Sequence, residues 1–293
     1  MIETRLLQYF LATAEEQSIT RAANYLHITQ PALSKQIMDL EEQLGTKLFI
    51  RGKKKITLTE DGLYLRSCAQ EIISLIDKTE SGFRENEQNI SGDIHIGCGE
   101  YQSSSIIMEI IHDIINNYPD IHFHFFSSNA DAIIERLDKG LLDIGILLEP
   151  EITQRYDYQK LNLKETWGIL MQNNCSLAQK EKLTFKDISG IPMITPNQKS
   201  NSSRFNQLFA EYDISLNVVS TYNLIFNARL MVKAGIGYAL CIGGLIPESP
   251  EHNLVFRPFE PLVTSNVYLF TKKYQVFSKA AKLFISRLEQ ELL

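Results

Sequence analysis

The chain has 293 residues and a mass of 33.5 kDa, more than one compact domain usually holds. Hydrophobic residues at 44% and charged residues at 22% give a globular balance, which excludes a disordered or fibrous chain. A net charge of −6 argues, on average, against a polyanion partner, and the apolar run Ile236–Ile246 falls short of the roughly 20 residues a membrane span needs.

The opening, Met1-Ile2-Glu3-Thr4-Arg5, has no basic stretch leading into an apolar block, so no secretory leader is expected. Leu6, Leu7, Phe10, Leu11 and Ala14 recur at helical spacing and predict a short amphipathic helix over 4–16. Ser18 is placed to cap a second helix with Ala22, Ala23 and Leu26 inward. After the tight connection His27-Ile28-Thr29, Thr29 caps a third helix in which Pro31 sits harmlessly in the first turn. Its stripe is Leu33, Ile37, Leu40 and Leu44, and Gly45 stands where such a helix ends. The pattern is a helix-turn-helix, with Gln30, Pro31, Ser34, Lys35 and Met38 on the outward face, short and polar enough to enter a major groove.

Leu48-Phe49-Ile50 and Ile56-Thr57-Leu58 then flank a basic turn, predicting a hairpin or wing. Lys47, Arg51, Lys53, Lys54 and Lys55 stand here with no acid among them, so the average charge hides a local reversal. From Arg21 to Arg66 eight cations face five acids, whereas from Ser91 onward 18 cations face 22 acids. One small region is thus suited to phosphates while the remainder repels them.

Thr59 followed by Glu60 and Asp61 opens a long helix, along which Leu65, Ala69, Ile72, Ile76, Thr79 and Phe83 alternate in steps of four and three. This narrow seam predicts pairing with the same helix of a second subunit. The polar stretch Asn86–Gly92 reads as a linker. Beyond Asp93 the pattern becomes strand–helix alternation. Strands are expected at Ile94–Cys98, Ile121–Ser127 and Leu141–Leu148, with helices at Ser103–Asn117 and Ala130–Lys139. A second set follows, with strands near Trp167–Met171, Met193–Thr195, Asn217–Thr221 and Tyr238–Ile242. A last strand, Asn266–Thr271, and helix, Ser278–Leu292, are expected to return to the first half. Such a fold binds ligands outside the strand C-termini, in a cleft between two lobes.

These residues carry a resemblance. Phe10-Leu11-Ala12, Ser18 through His27, Thr29 through Ile37, Leu40-Glu41, Leu44-Gly45, Leu48 through Arg51 and Leu58 through Gly62 are similar to the LysR-type transcriptional regulators. Tyr118-Pro119-Asp120, Leu137 through Asp143 and Val232 through Gly237 extend the likeness over the whole chain. It implies an N-terminal all-α winged helix-turn-helix over 1–58, a long linker and dimerisation helix over 59–90, and a two-lobed α/β effector domain over 91–293, like type 2 periplasmic binding proteins. Lobe I would be 91–163 with 267–293, and lobe II 164–266. It further implies double-stranded promoter DNA, a small-molecule effector and RNA polymerase as partners, with homodimers assembling into homotetramers in the cytoplasm. No cofactor, metal or membrane is implied.

The resemblance puts candidate DNA contacts at Ser18, Thr20, Arg21, Thr29, Gln30, Pro31, Ala32, Ser34, Lys35, Arg51, Lys53, Lys54 and Lys55. The family often has arginine at Lys35; lysine keeps the charge without the bidentate fork. Candidate effector contacts are Gly99, Glu100, Tyr101, Gln102, Ser103, Asn129, Ser200, Asn201, Ser202, Thr221 and Tyr222. After the first strand, where the family commonly has Ser or Thr, this chain has Gly99 and then Glu100. A cleft-facing Glu100 would favour an effector with an amino group. Ser200–Ser203 either merely caps its helix or offers N–H groups to an anionic part of the effector.

Other features read as ordinary. His122 and His124 share a strand face as HxH without a third ligand nearby, and Gly235-Ile236-Gly237 lacks the third glycine of a dinucleotide fingerprint. Cys68, Cys98, Cys175 and Cys241 are far apart with no CxxC, which suits reduced packing thiols. Hydrolase, zincin and P-loop signatures are absent, so a regulator is favoured over an enzyme. The alternative is a two-lobed binding protein or enzyme with an appended dimer module.

Overall fold

The structure, a computed structural model, describes residues 2–52, 55–83, 90–150, 154–197, 199–246 and 253–293; at positions 51, 77, 78, 81–83 and 199–204 it describes the backbone alone. The chain divides into two compact units, Met1–Phe83 and Arg84–Leu293.

The first unit is built from α1 (Thr4–Glu16), α2 (Ile19–Tyr25), α3 (Gln30–Leu44), the hairpin β1 (Phe49–Arg51) and β2 (Ile56–Leu58), and α4 (Glu60–Phe83). Its core joins Leu6, Leu7 and Phe10 of α1 to Ala22 and Ala23 of α2 and to Leu33, Ile37 and Leu40 of α3. The two alanines, fully buried, let α1 and α3 approach α2 closely. Leu44, expected to complete the α3 stripe, lies exposed at the helix end, and Glu41 takes the inward position instead. The α4 seam is also corrected. Leu65 and Ala69 are buried against this unit's own core, which leaves Ile72 and Leu75, both more than 40% exposed, to carry the outward apolar row. The side chain of Phe83 and most of the linker, 84–89, lie outside the described residues.

The second unit holds β3 (Gly92–Cys98), α5 (Ser104–Asn117), β4 (Ile121–Ser127), α6 (Ala130–Asp138), β5 (Ile144–Leu148), β6 (Tyr156–Gln172), β7 (Pro192–Pro196), α7 (Lys199–Glu211), β8 (Asn217–Tyr222), α8 (Ile225–Lys233), β9 (Tyr238–Ile242), β10 (Leu254–Pro258), β11 (Thr264–Lys272) and α9 (Lys279–Leu292). The sheet runs β4-β3-β5-β11-β6-β9-β7-β8, with β10 paired to β6. Strands β3, β4 and β5 are parallel, as are β7, β8 and β9. The two halves meet through β6. Its first stretch, Tyr156–Thr166, pairs with β11, and its last, from Trp167, pairs with β9 and β10.

Strand β6 begins eleven residues earlier than the sequence suggests. Leu161 and Leu163 are buried while Tyr158, Lys160 and Lys164 are exposed, a half-solvated pattern that a search for apolar runs passes over. Strand β10, with Leu254 and Val255 buried, was not anticipated. The last strand and helix do return to the first half. Strand β11 lies between β5 and β6, and α9 packs Phe284 and Leu288 into the core beside α5 and β3.

Candidate functional site

In the first unit, Ser18 Oγ accepts the Arg21 N–H at 3.4 Å and opens α2. The turn that follows passes through His27 in the left-handed region (φ 55°), and the Ile28 N–H bonds Ala23 O at 3.0 Å. Thr29 Oγ1 then accepts the Ala32 N–H at 3.4 Å, so this hydroxyl caps α3. With Leu33, Ile37 and Leu40 turned inward, α3 presents Gln30, Pro31, Ala32, Lys35 and Met38 to solvent, with Ser34 half-buried. Thr20 is exposed on α2. Arg21 binds both the carboxylate and the main-chain carbonyl of Glu16, which ties α2 to the end of α1.

The wing hairpin is held from behind. Glu41, 4% exposed, accepts the N–H groups of Leu48 and Phe49 at 2.9 and 3.3 Å and the Lys47 ammonium at 2.9 Å. Burial alone would raise this carboxyl, but the Lys47 bond and the two backbone bonds outweigh it and hold it below its ordinary value. Thr59 Oγ1 donates to Lys47 O at 2.7 Å, and the Ile56 N–H bonds Gln17 O at 3.0 Å. The clamp therefore fixes both strands while Lys55 at the tip stays exposed. Lys53 and Lys54, and the side chain of Arg51, lie outside the described residues.

In the second unit a cleft forms where the strands of both halves end. Gly99, Glu100 and Tyr101 follow β3, Ser128 and Asn129 follow β4, and Leu148 closes β5. Opposite them stand Pro196 of β7, Tyr222 to Ile225 between β8 and α8, and Cys241 and Ile242 of β9. Trp167, the chain's single tryptophan, sits at the crossing and donates its indole N–H to Ser265 at 2.9 Å. The walls leave about 60 Å³ of free space, room for a few waters. A wider recess of about 380 Å³ adjoins it, lined by Met108, Phe125, Phe226 and Arg229 among others.

The chain's own side chains fill the cleft. A Cβ on Gly99 would stand 2.2 Å from the Tyr101 hydroxyl oxygen, so only glycine lets that ring fold back over the strand end. There the Tyr101 oxygen accepts the Leu148 N–H at 3.1 Å, and burial drives the phenol far above its ordinary pKa. Tyr222 donates to Leu240 O at 2.8 Å; burial, then the neighbouring Cys241 and Glu100, raise it likewise. Asn129 Oδ1 caps α6 through the Ala132 N–H at 3.1 Å. Glu100 Oε2 accepts the Ile225 N–H at 3.2 Å from the opposite half, so the carboxylate expected to await an amine already has a donor.

Of the expected cleft residues, Gly99, Glu100, Tyr101, Asn129 and Tyr222 come together. Gln102 and Ser103 do not line the cavity. The Gln102 amide lies against Gly244, and the Ser103 N–H bonds the buried Glu165 at 2.8 Å. Thr221 points to solvent, and the side chains of Ser200, Asn201 and Ser202 are not described. Ser128, Leu148, Trp167, Pro196 and Ile225 were missed, although most stand at strand ends that the sequence had located. The HxH pair is accounted for locally: His124 lies 2.9 Å from Asp93 and stacks on His95 with ring centroids 4.8 Å apart. The four cysteines are free thiols.

Comparison with known proteins agrees on both units. Residues 4–63 match the family model of the bacterial regulatory helix-turn-helix protein, lysR family, and residues 87–293 match the LysR substrate binding domain. The uncharacterized HTH-type transcriptional regulator YvbU of Bacillus subtilis is 29% identical over 284 residues, 95% of each chain. The Hca operon transcriptional activator HcaR of Escherichia coli is 26% identical over 296 residues, 99% of this chain and 98% of its own. Among solved structures, CbnR, a LysR family transcriptional regulator, has a TM-score of 0.77 at 17% identity with 99% of both chains covered. Full-length CbnR complexed with its target DNA gives 0.76, also at 17% identity and 99% of both chains. At that identity the likeness is one of fold.

Proposed function

The chain belongs to the LysR family of transcriptional regulators, and from that premise we propose that it reads promoter DNA with α3 and the wing while a small molecule in the cleft sets its regulatory state. The observation that carries the reading is the pairing of two features in one chain. One is an exposed polar and cationic α3 face, with the wing strands clamped behind it by Glu41. The other is a cleft at the strand ends of an α/β sheet domain.

Gln30, Ser34 and Lys35 meet base edges in this reading, while Arg51, Lys53, Lys54 and Lys55 meet phosphates. Ser18 and Thr29 contribute as helix caps, which orients Thr20, Arg21, Pro31 and Ala32 around the same groove. In the cleft, Gly99, Tyr101, Asn129 and Tyr222 shape the effector pocket, with Ser200, Asn201 and Ser202 at the start of α7 and Gln102, Ser103 and Thr221 at its margin. The exposed row Ile72 and Leu75 on α4 supports pairing of two copies through that helix, and dimers pairing through their effector domains give the tetramer. The protein works in the cytoplasm, where its promoter and RNA polymerase are, and catalyses no reaction of its own. An effector acts by favouring one of two arrangements of the halves and so of the spacing between DNA-binding heads.

A gel-shift with DNA from upstream of its own gene tests the reading. Binding that is salt-sensitive yet sequence-selective is expected. Binding indifferent to sequence favours instead a two-lobed binding protein carrying a dimer module.

A further inference from the structure

We infer that Glu100 is a tethered carboxylate that latches the two halves of the second unit across the cleft. Helix α8 begins at Ile225, and Leu224, its N-cap residue, offers no side-chain acceptor to the first turn. First-turn amides have no partner within their own helix, and that end carries partial positive charge. The acceptor comes from the other half, where the Glu100 carboxylate takes the Ile225 N–H at 3.2 Å across a separation of 125 residues. A second contact runs beside it. Gly244, with φ +78°, lies so close to Gln102 that a Cβ there would stand 1.7 Å from the amide oxygen. Glu100 and Gln102 both follow β3; one reaches the start of α8 and the other the turn after β9. The recess of about 380 Å³ is lined by Glu100 and Ile225 themselves, so the contact stands where a small molecule has room to reach it.

The latch also states how the cleft is regulated, and that part rests on the effector reading given above. A ligand that brings its own carboxylate to the α8 terminus competes with Glu100 for one N–H. A ligand with an amine must instead draw Glu100 away from α8 and strip the cap. In either case binding is coupled to release of the Glu100 contact.

The test is amide hydrogen exchange on the full chain, with the Ile225 amide as probe and the Leu148 amide, held by Tyr101, as reference. In Glu100→Ala the Ile225 amide should exchange about tenfold faster or more, with Leu148 unchanged. Glu100→Gln, which keeps an oxygen in place without charge, should fall between and serves should the alanine variant fold poorly. Equal Ile225 exchange in wild type and both variants overturns the latch. Acetate and succinate, followed by Trp167 fluorescence, test the competition: each should bind Glu100→Ala at least about tenfold more tightly than wild type. Faster exchange with no carboxylate binding to either protein leaves the latch standing and overturns the competition.

Discussion

Replacing Glu41 by alanine removes one buried carboxylate and orphans two donors at once. The Leu48 and Phe49 N–H groups belong to residues 1% and 8% exposed, so water does not readily replace the lost acceptor. An unsatisfied buried donor costs about 1–3 kcal/mol, giving roughly 2–6 kcal/mol for the pair. The Lys47 ion pair adds about 1 kcal/mol at most, because its ammonium end is 75% exposed. For a unit of this size each kcal/mol moves the midpoint by about 4–8 °C, so even a loss of about 2–3 kcal/mol predicts a shift of roughly 8–24 °C. Far-UV circular dichroism of the full chain should show that shift. Trp167 fluorescence, which reports the second unit, should hold its midpoint. Glu41→Gln, whose one oxygen can still accept both N–H groups because they share Oε1, should lose little beyond the Lys47 contact, about 1 kcal/mol. The carboxyl titrates below its ordinary 4.5 when folded, so its contribution is full above that value and fades as pH falls through the folded pKa. The alanine variant should also weaken binding to every DNA sequence alike, since the wing loses its seat. A circular dichroism midpoint unmoved in Glu41→Ala would refute the clamp.

Three further outcomes are expected. Gln30→Ala should relax base preference, whereas Lys54→Ala should weaken specific and random DNA equally and flatten the salt dependence; identical losses for the two in a competition gel-shift would remove the assignment of α3 to bases. Gly99→Ala places a methyl against the Tyr101 ring and should cost about 1–3 kcal/mol in thermal stability while freeing the Leu148 amide. A crystal structure with that bond intact would contradict it. Burial pushes Cys98 to about 11 and Cys241 to about 12, so at neutral pH a thiol reagent should reach the half-buried Cys68 and Cys175 first, and mass spectrometry of labelled peptides checks the order.

What could be read in advance depended on how local the determinant was. Caps and breakers act within a few residues, so Ser18, Thr29, Pro31 and Gly45 placed α2 and α3 almost to the residue. Buried strands announced themselves as alternation at β3 and as apolar runs at β5 and β9, but the opening of β6 hid behind its charged, solvated face. Glu41 escaped because it reads as an ordinary surface acid. Yet it stands four residues after Ile37 on the apolar stripe, just before a segment with main-chain donors to satisfy. Glu100 was placed at the cleft from its position after β3, but no spacing announced a partner 125 residues away. Tertiary hydrogen bonds of that kind are the part a local pattern does not encode.

Strand β11 has a consequence for biosynthesis. It fills the place between β5 and the opening of β6, and α9 then lies over α5 and β3. Translation delivers both of them after the other strands and helices of this unit. Until Thr264–Leu292 has emerged from the ribosome, β5 and β6 each present an unpaired edge and α5 lacks its neighbour α9, an invitation to chaperones and to neighbouring nascent chains. A premature stop codon ahead of Thr264 would therefore remove the middle of a sheet rather than trim a tail, and the truncated product should be cleared by proteases instead of persisting as a free DNA-binding fragment.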